Sequence, residues 1–294
     1  MKFRFIISKW GNFYFFIQNL SEWHFSCRKK YNALWQKELG SLSLEEKQTL
    51  KVFKKIRSKY KPAKTCFEQA FFSVKNPWQL LTTTLNPTEY QNIRKIFITF
   101  QNKFEKFYHK EYPLLEQWQK LLEKTANKKI LNQKITKILD NLYKTKFTNK
   151  NITINVYLLP STPDTTGGGA NIDEKNISLE ISRYPTKKNN HALAILWHET
   201  IHLIFEKQYF YPLISQKYGY LQKDKIFINE ITAASLFPKG ILGQELLKNK
   251  PGPLYFGKFH RQKGKFFRIM KSYITQKKNL DTHYIENILF IINK

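Results

Sequence analysis

Leu193-Ala194-Ile195-Leu196-Trp197-His198-Glu199-Thr200-Ile201-His202-Leu203-Ile204-Phe205 is the stretch on which the fold and the chemistry both turn. It is apolar almost throughout, and its spacing predicts a buried helix over about residues 191–208, with Asn189 or Asn190 as its cap. His198 and His202 are four residues apart, so a helix brings both imidazoles to one face, one turn apart. Two such nitrogens can ligate one zinc ion at about 2.0–2.1 Å. Glu199 lies beside that face rather than on it, the place for a general base acting on water that the metal activates. The competing reading makes both histidines ordinary helix residues, but burying two His and a Glu together without a partner is costly.

A catalytic zinc takes three protein ligands and keeps one position open. The third is expected at Glu230, in Asn229-Glu230-Ile231-Thr232-Ala233-Ala234, on a separate helix over about residues 225–236 that Asp224 caps and Pro238 stops. Ala233 and Ala234 let that helix approach a neighbour closely, and Ile226, Ile228 and Ile231 argue for burial. Asp224, Glu206, His260 and His283 are the alternatives.

Upstream, Ile152, Ile154, Val156 and Leu158 alternate with Thr153, Asn155 and Tyr157, which predicts a strand with one buried face. Ile177, Leu179 and Ile181 alternate as a second, and the two share one small sheet that Tyr184-Pro185 ends. Between them, Gly167-Gly168-Gly169-Ala170 reads either as a backbone that another chain can approach closely or as a flexible loop tip.

Residues 31–147 carry helical periodicity. Ser43 and Glu46 predict a capping box, and Asn86, Pro87 and Glu89 predict another. The second opens a helix through Ile93, Phe97, Phe100, Phe104 and Phe107, and Pro113 is expected to open a new one. A further helix is expected over 128–144, and two more over 263–276 and 281–292. Phe13-Tyr14-Phe15-Phe16-Ile17 reads as a strand or as core. The expected fold class is therefore α+β and predominantly helical. A helical, Lys-rich N-terminal region (1–149) precedes a domain (150–294) with a small sheet and the motif helix.

The net charge of +28 raises nucleic acid or an acidic surface as partners. The excess is lysine, 43 Lys against 7 Arg, whereas phosphate recognition favours the Arg fork. Residues 1–150 hold 30 basic and 11 acidic side chains, and residues 151–294 hold 20 and 11. Nucleic acid is thus possible but not favoured. Cys27 and Cys66 form neither a metal pair nor a disulfide framework, and a reducing compartment fits them. The apolar start Phe3–Ile7 breaks at Lys9, and no stretch is long enough to span a bilayer, so a soluble, cytoplasmic protein is expected.

His198-Glu199-Thr200-Ile201-His202 followed by Glu230 on a second helix resembles the gluzincin group of zincin metallopeptidases, over about residues 150–240. A metzincin would carry Gly where Phe205 stands and His where Gln208 stands, and a DNA-associated SprT-like protease would use a third His in place of Glu230. The resemblance implies zinc-dependent hydrolysis of a peptide or protein substrate, with His198, His202 and Glu230 on zinc and Glu199 as base. It also implies a short sheet before the motif helix whose edge strand lines the cleft. One departure stands out. Gluzincins often place Asp four residues after the third ligand, and here that residue is Ala234, so the carboxylate that orients a ligand must come from elsewhere, such as Asp224 or Asp173. Tyr220, Tyr255, His260 and His283 are candidates to stabilise the oxyanion. Two alternatives stand beside hydrolysis: an idle zincin-like binding protein, and a basic nucleic-acid-associated protein.

Overall fold

The computed structural model describes residues 1–23, 29–60, 66–73, 75–160, 167–171, 175–217, 222–252 and 261–293. Strand β1 (Lys2–Ile6) leads into helices α1 (Lys9–Ser21), α2 (Lys29–Leu39), α3 (Leu44–Lys59) and α4 (Cys66–Glu68), the last continuing as a π-helical turn, Gln69–Ser73. Helices α5 (Pro77–Thr84), α6 (Pro87–Ala126) and α7 (Lys129–Leu142) follow, then strands β2 (Thr153–Pro160), β3 (Gly167–Asn171) and β4 (Asn176–Ile181). Helix α8 (Pro185–Thr200) passes into a π-helical segment, Ile201–Phe210, and on into α9 (Tyr211–Lys217). The chain closes with α10 (Gln222–Leu236), α11 (Ile241–Leu247), α12 (Lys263–Thr275) and α13 (Thr282–Ile292). The protein is α+β and predominantly helical, with one small mixed sheet.

The sheet order is β1-β2-β4-β3. β1 and β4 run parallel to β2, and β3 is antiparallel to β4, with Gly168 opposite Leu179 and Ala170 opposite Ile177. The sequence reading expected β2 to bury one face. Instead Tyr157 and Leu159 are buried as well as Val156 and Leu158 on the other face. Phe72 packs on Tyr157 on one side, while Phe3, paired in register with Ile154, meets Trp197 of α8 edge-on at 5.5 Å on the other. A strand covered on both faces loses its polar alternation. Phe13–Ile17 are helical, in α1, and all five are buried.

Pro113 does not start a helix: α6 runs through it as one 40-residue element. Proline removes one backbone bond and crowds the preceding turn. Here the buried stripe continues past it, from Phe104 and Phe107 to Leu115, Trp118 and Leu122, and tertiary burial keeps the helix whole. Side chains of α6 then tie it to the sheet. Trp118 Nε1 donates to Ser182 O at 2.7 Å, Gln119 donates to Phe5 O at 2.8 Å, and the Asn127 amide accepts from Phe3 N and donates to Phe3 O.

The capping box at Ser43 and Glu46 forms as expected. At Asn86 only half of one forms: Asn86 accepts from Glu89 N, but the Glu89 carboxylate turns to Lys59 Nζ and Tyr60 Oη, which offer charge-assisted bonds. The motif helix starts earlier than its asparagines suggested, with Pro185 in the first turn and Tyr184 as a cap that makes no side-chain bond. Asn189 accepts instead from the Thr125 hydroxyl.

Candidate metal centre

His198 lies near the C-terminal end of α8, His202 in the π-helical segment that continues it, and Glu230 on α10. Their ligand-type atoms converge. The two Nε2 atoms are 3.1 Å apart, and Glu230 Oε2 lies 3.4 Å from His198 Nε2 and 3.5 Å from His202 Nε2. Both histidines are buried, and the Glu230 side chain is 28% exposed, so the cluster opens on the carboxylate side. These three residues form the one group of metal-ligand type found among the described residues.

The far nitrogen of each ring is held. His198 Nδ1 lies 3.0 Å from Phe237 O, just past the end of α10. A carbonyl only accepts, so the proton sits on Nδ1 and Nε2 carries the lone pair that faces the cluster. His202 Nδ1 lies 2.9 Å from Glu206 Oε2, and Glu206 is completely buried. One alternative for the third ligand thus stands behind a histidine instead, as the carboxylate that orients it. The signal was present, since Glu206 follows His202 by four residues. The π-helical geometry around it shows in the bond from Tyr211 N to Glu206 O, five residues back.

Glu199 faces β3. A Cβ on Gly168 would come within 2.8 Å of Glu199 Cγ and Ile195 Cγ2, so the strand backbone lies directly on the helix there and tolerates no side chain. The Gly167–Ala170 run is an edge strand of the sheet, paired with β4. Ala170 N–H donates a hydrogen bond to the Glu199 carboxyl.

Electrostatics follow from burial around a shared centre. Burial raises the Glu199 carboxyl above the usual range, and Glu230 adds to this, outweighing the two histidines and the Ala170 N–H. For His202, burial disfavours the charged ring, but Glu206 and Glu230 outweigh it and hold the imidazole protonated well above its ordinary value. Burial opposes ionisation of Glu230 as well, yet the adjacent His198 and His202 rings outweigh it and hold its carboxyl far below the usual range. A bound cation would take over the role of the shared proton.

Of the remaining candidates, the one whose side chain is described is not part of the cluster. His283 is an exposed side chain on α13, 4.0 Å from Glu286. The side chain of Asp224, and Asp173, Tyr220, Tyr255 and His260, lie outside the described residues, as does Cys27. Cys66 is half-buried. No described helix is long and apolar enough to cross a membrane.

The donor set suits a divalent cation. Ligands at about 2.0–2.1 Å in tetrahedral array stand about 3.3 Å from one another. The observed triangle has edges of 3.1, 3.4 and 3.5 Å, and its donors are two imidazoles and a carboxylate. The donor types and their spacing suit such an ion. Comparison with protein-family models, with curated proteins and with solved structures finds no match to this chain.

Proposed function

We propose that the chain is a zinc-dependent peptidase of the gluzincin type, with His198, His202 and Glu230 as ligands and Glu199 as general base. The observation that carries this reading is the near-equilateral triangle of two Nε2 atoms and one carboxylate oxygen, 3.1 to 3.5 Å on a side. Support also comes from the sheet ahead of the motif helix and from the antiparallel edge strand that touches the base.

A bound zinc ion would supply Lewis acidity toward a substrate carbonyl and lower the pKa of a water toward neutrality. The chain's own residues do the rest. Phe237 O and Glu206 hold the two imidazoles with Nε2 turned inward. Glu199, adjacent in sequence to one ligand, takes a proton on its carboxylate and later returns it to the departing amine. Its raised affinity for protons favours that exchange. The Ala170 N–H and the close backbone at Gly168 keep the carboxylate in place. The outer side of β3 offers an extended peptide main-chain donors and acceptors, with little side-chain bulk from Gly167 to Ala170.

The test begins with the metal. One zinc per chain is expected, held far more weakly after Glu230→Ala. Glu199→Gln should keep the zinc and lower peptide turnover by about 10²–10⁴-fold. Full activity in Glu199→Gln would overturn the base assignment. A purified chain that binds no zinc would overturn the whole reading, and zinc binding without cleavage of any peptide in a broad library would leave a binding protein.

A further inference from the structure

Every Lys or Arg that pairs with a carboxylate among the described residues lies outside α7, α11 and α12. The pairing cations are Lys9, Arg57, Lys59, Lys103, Lys110 and Arg183. α12 packs against both α7 and α11, and the groove lined by Lys128–Leu131, Lys134, Glu245 and Leu246 joins α7 to α11, so the three helices are neighbours. Lys129, Lys134 and Lys137 of α7 and Lys265, Arg268 and Lys271 of α12 are all exposed, and Lys129 and Lys134 line the groove. Only two carboxylates belong to these helices, Asp140 and Glu245. Asp140 is occupied, accepting from Thr145 Oγ1, Phe147 N, Thr148 N and Thr148 Oγ1.

Unpaired lysines occur elsewhere as well, on α3 for instance; what sets this region apart is the apolar side chain that stands among them. At the same place lies Ile130, 84% exposed and the most exposed large hydrophobic side chain described, flanked by Lys128 and Lys129. Half-buried Leu131 and Leu246 line the groove beside it. An apolar tip ringed by ammonium groups on flexible stems is the pattern that a phospholipid interface rewards: the stems reach the headgroups while the tip enters the acyl boundary.

We infer that the α7–α11–α12 face docks peripherally on an anionic lipid bilayer, with Ile130 inserted and the surrounding lysines on the headgroups. A nucleic acid fits this face less well. Its cations are lysines apart from Arg268 and, among the described residues, none of the exposed large aromatics (Tyr112, Tyr184 and Phe290) lies on these three helices to stack on a base. The inference is independent of the metal centre.

The experiment is co-sedimentation of the full chain with vesicles of phosphatidylcholine alone or with about one-third phosphatidylserine. Binding is expected only to the anionic vesicles, and it should fall steeply with added salt as the screening length shortens. Lys129→Gln/Lys134→Gln/Lys137→Gln should lower partitioning by about 100-fold, roughly fivefold per cation. Ile130→Ser should lower it by about tenfold at unchanged charge. Lys51→Gln/Lys54→Gln/Lys55→Gln, on exposed positions of α3, removes the same charge elsewhere and should change little. Equal losses in the two triple variants would mean diffuse net charge, not a docking face, and would overturn the inference. So would equal binding to neutral vesicles, or displacement from anionic vesicles by a duplex oligonucleotide at phosphate concentrations well below that of the lipid.

Discussion

Two of the buried ionisable clusters among the described residues solve the same electrostatic problem differently. In the front half, Arg57 is 1% exposed among Tyr14, Glu68 and the ring of Trp23. Its Nε donates to Tyr14 Oη at 2.8 Å, its Nη2 to Glu68 at 2.6 Å, and its Nη1 to the Tyr60 carbonyl. The chain supplies the cation, so the cluster is complete in itself. In the rear half, two imidazole nitrogens and a carboxylate oxygen face one another at 3.1 to 3.5 Å, and among the described residues no Lys or Arg pairs with them. Such a grouping holds together on a shared proton or on a bound ion. The lesson is that burial of charge alone does not mark a site. What marks it is a donor set that converges on a centre the chain does not fill.

The sharpest way to break the contrast is to remove the front cluster's cation. Arg57→Met leaves Glu68 and Tyr14 facing an apolar side chain and should cost about 3–5 kcal/mol of stability, measured by urea unfolding. Metal affinity should be unchanged, and a parallel loss of metal binding would show the two clusters to be coupled. A smaller effect is expected behind His202. Glu206→Gln keeps the shape but loses the charge that holds Nδ1, and should weaken metal binding by about 10–100-fold in a chelator competition. Wild-type affinity in that variant would remove Glu206 from any role at the centre.

The smallest effect concerns a partly exposed ion pair, for contrast with both. Burial pushes the Glu38 carboxyl up, but hydrogen bonds from Arg183 and Lys110 outweigh it and hold the carboxyl below its usual range. Because the folded-state pKa is depressed, the stabilisation is present above the unfolded value and disappears as pH falls through the folded one. Wild type should exceed Glu38→Gln by no more than about 1 kcal/mol at neutral pH, and the gap should close in acid. A gap that persists at low pH would mean that Glu38 acts through packing rather than charge.

Local pattern determined a good deal of this protein. The helical spacing of His198 and His202, the period change that separates α7 from β2, the Ser43 capping box and the isolation of Glu230 on a second helix were legible in sequence, because each depends on residues within a turn or two. Tertiary structure alone decided the rest. That α6 continues through Pro113 depends on burial of one long stripe against the sheet, and that β2 is covered on both faces depends on Phe72 and Trp197, which are far from it in the chain. β1, drawn from the first residues, joins the sheet about 150 positions away, with Phe3 beside Ile154. Gly167–Ala170 could be read as a loop or as a close backbone, and only its pairing with β4 and its seat against Glu199 made it a strand. In each case, the deciding contact joins residues whose proximity no local periodicity encodes.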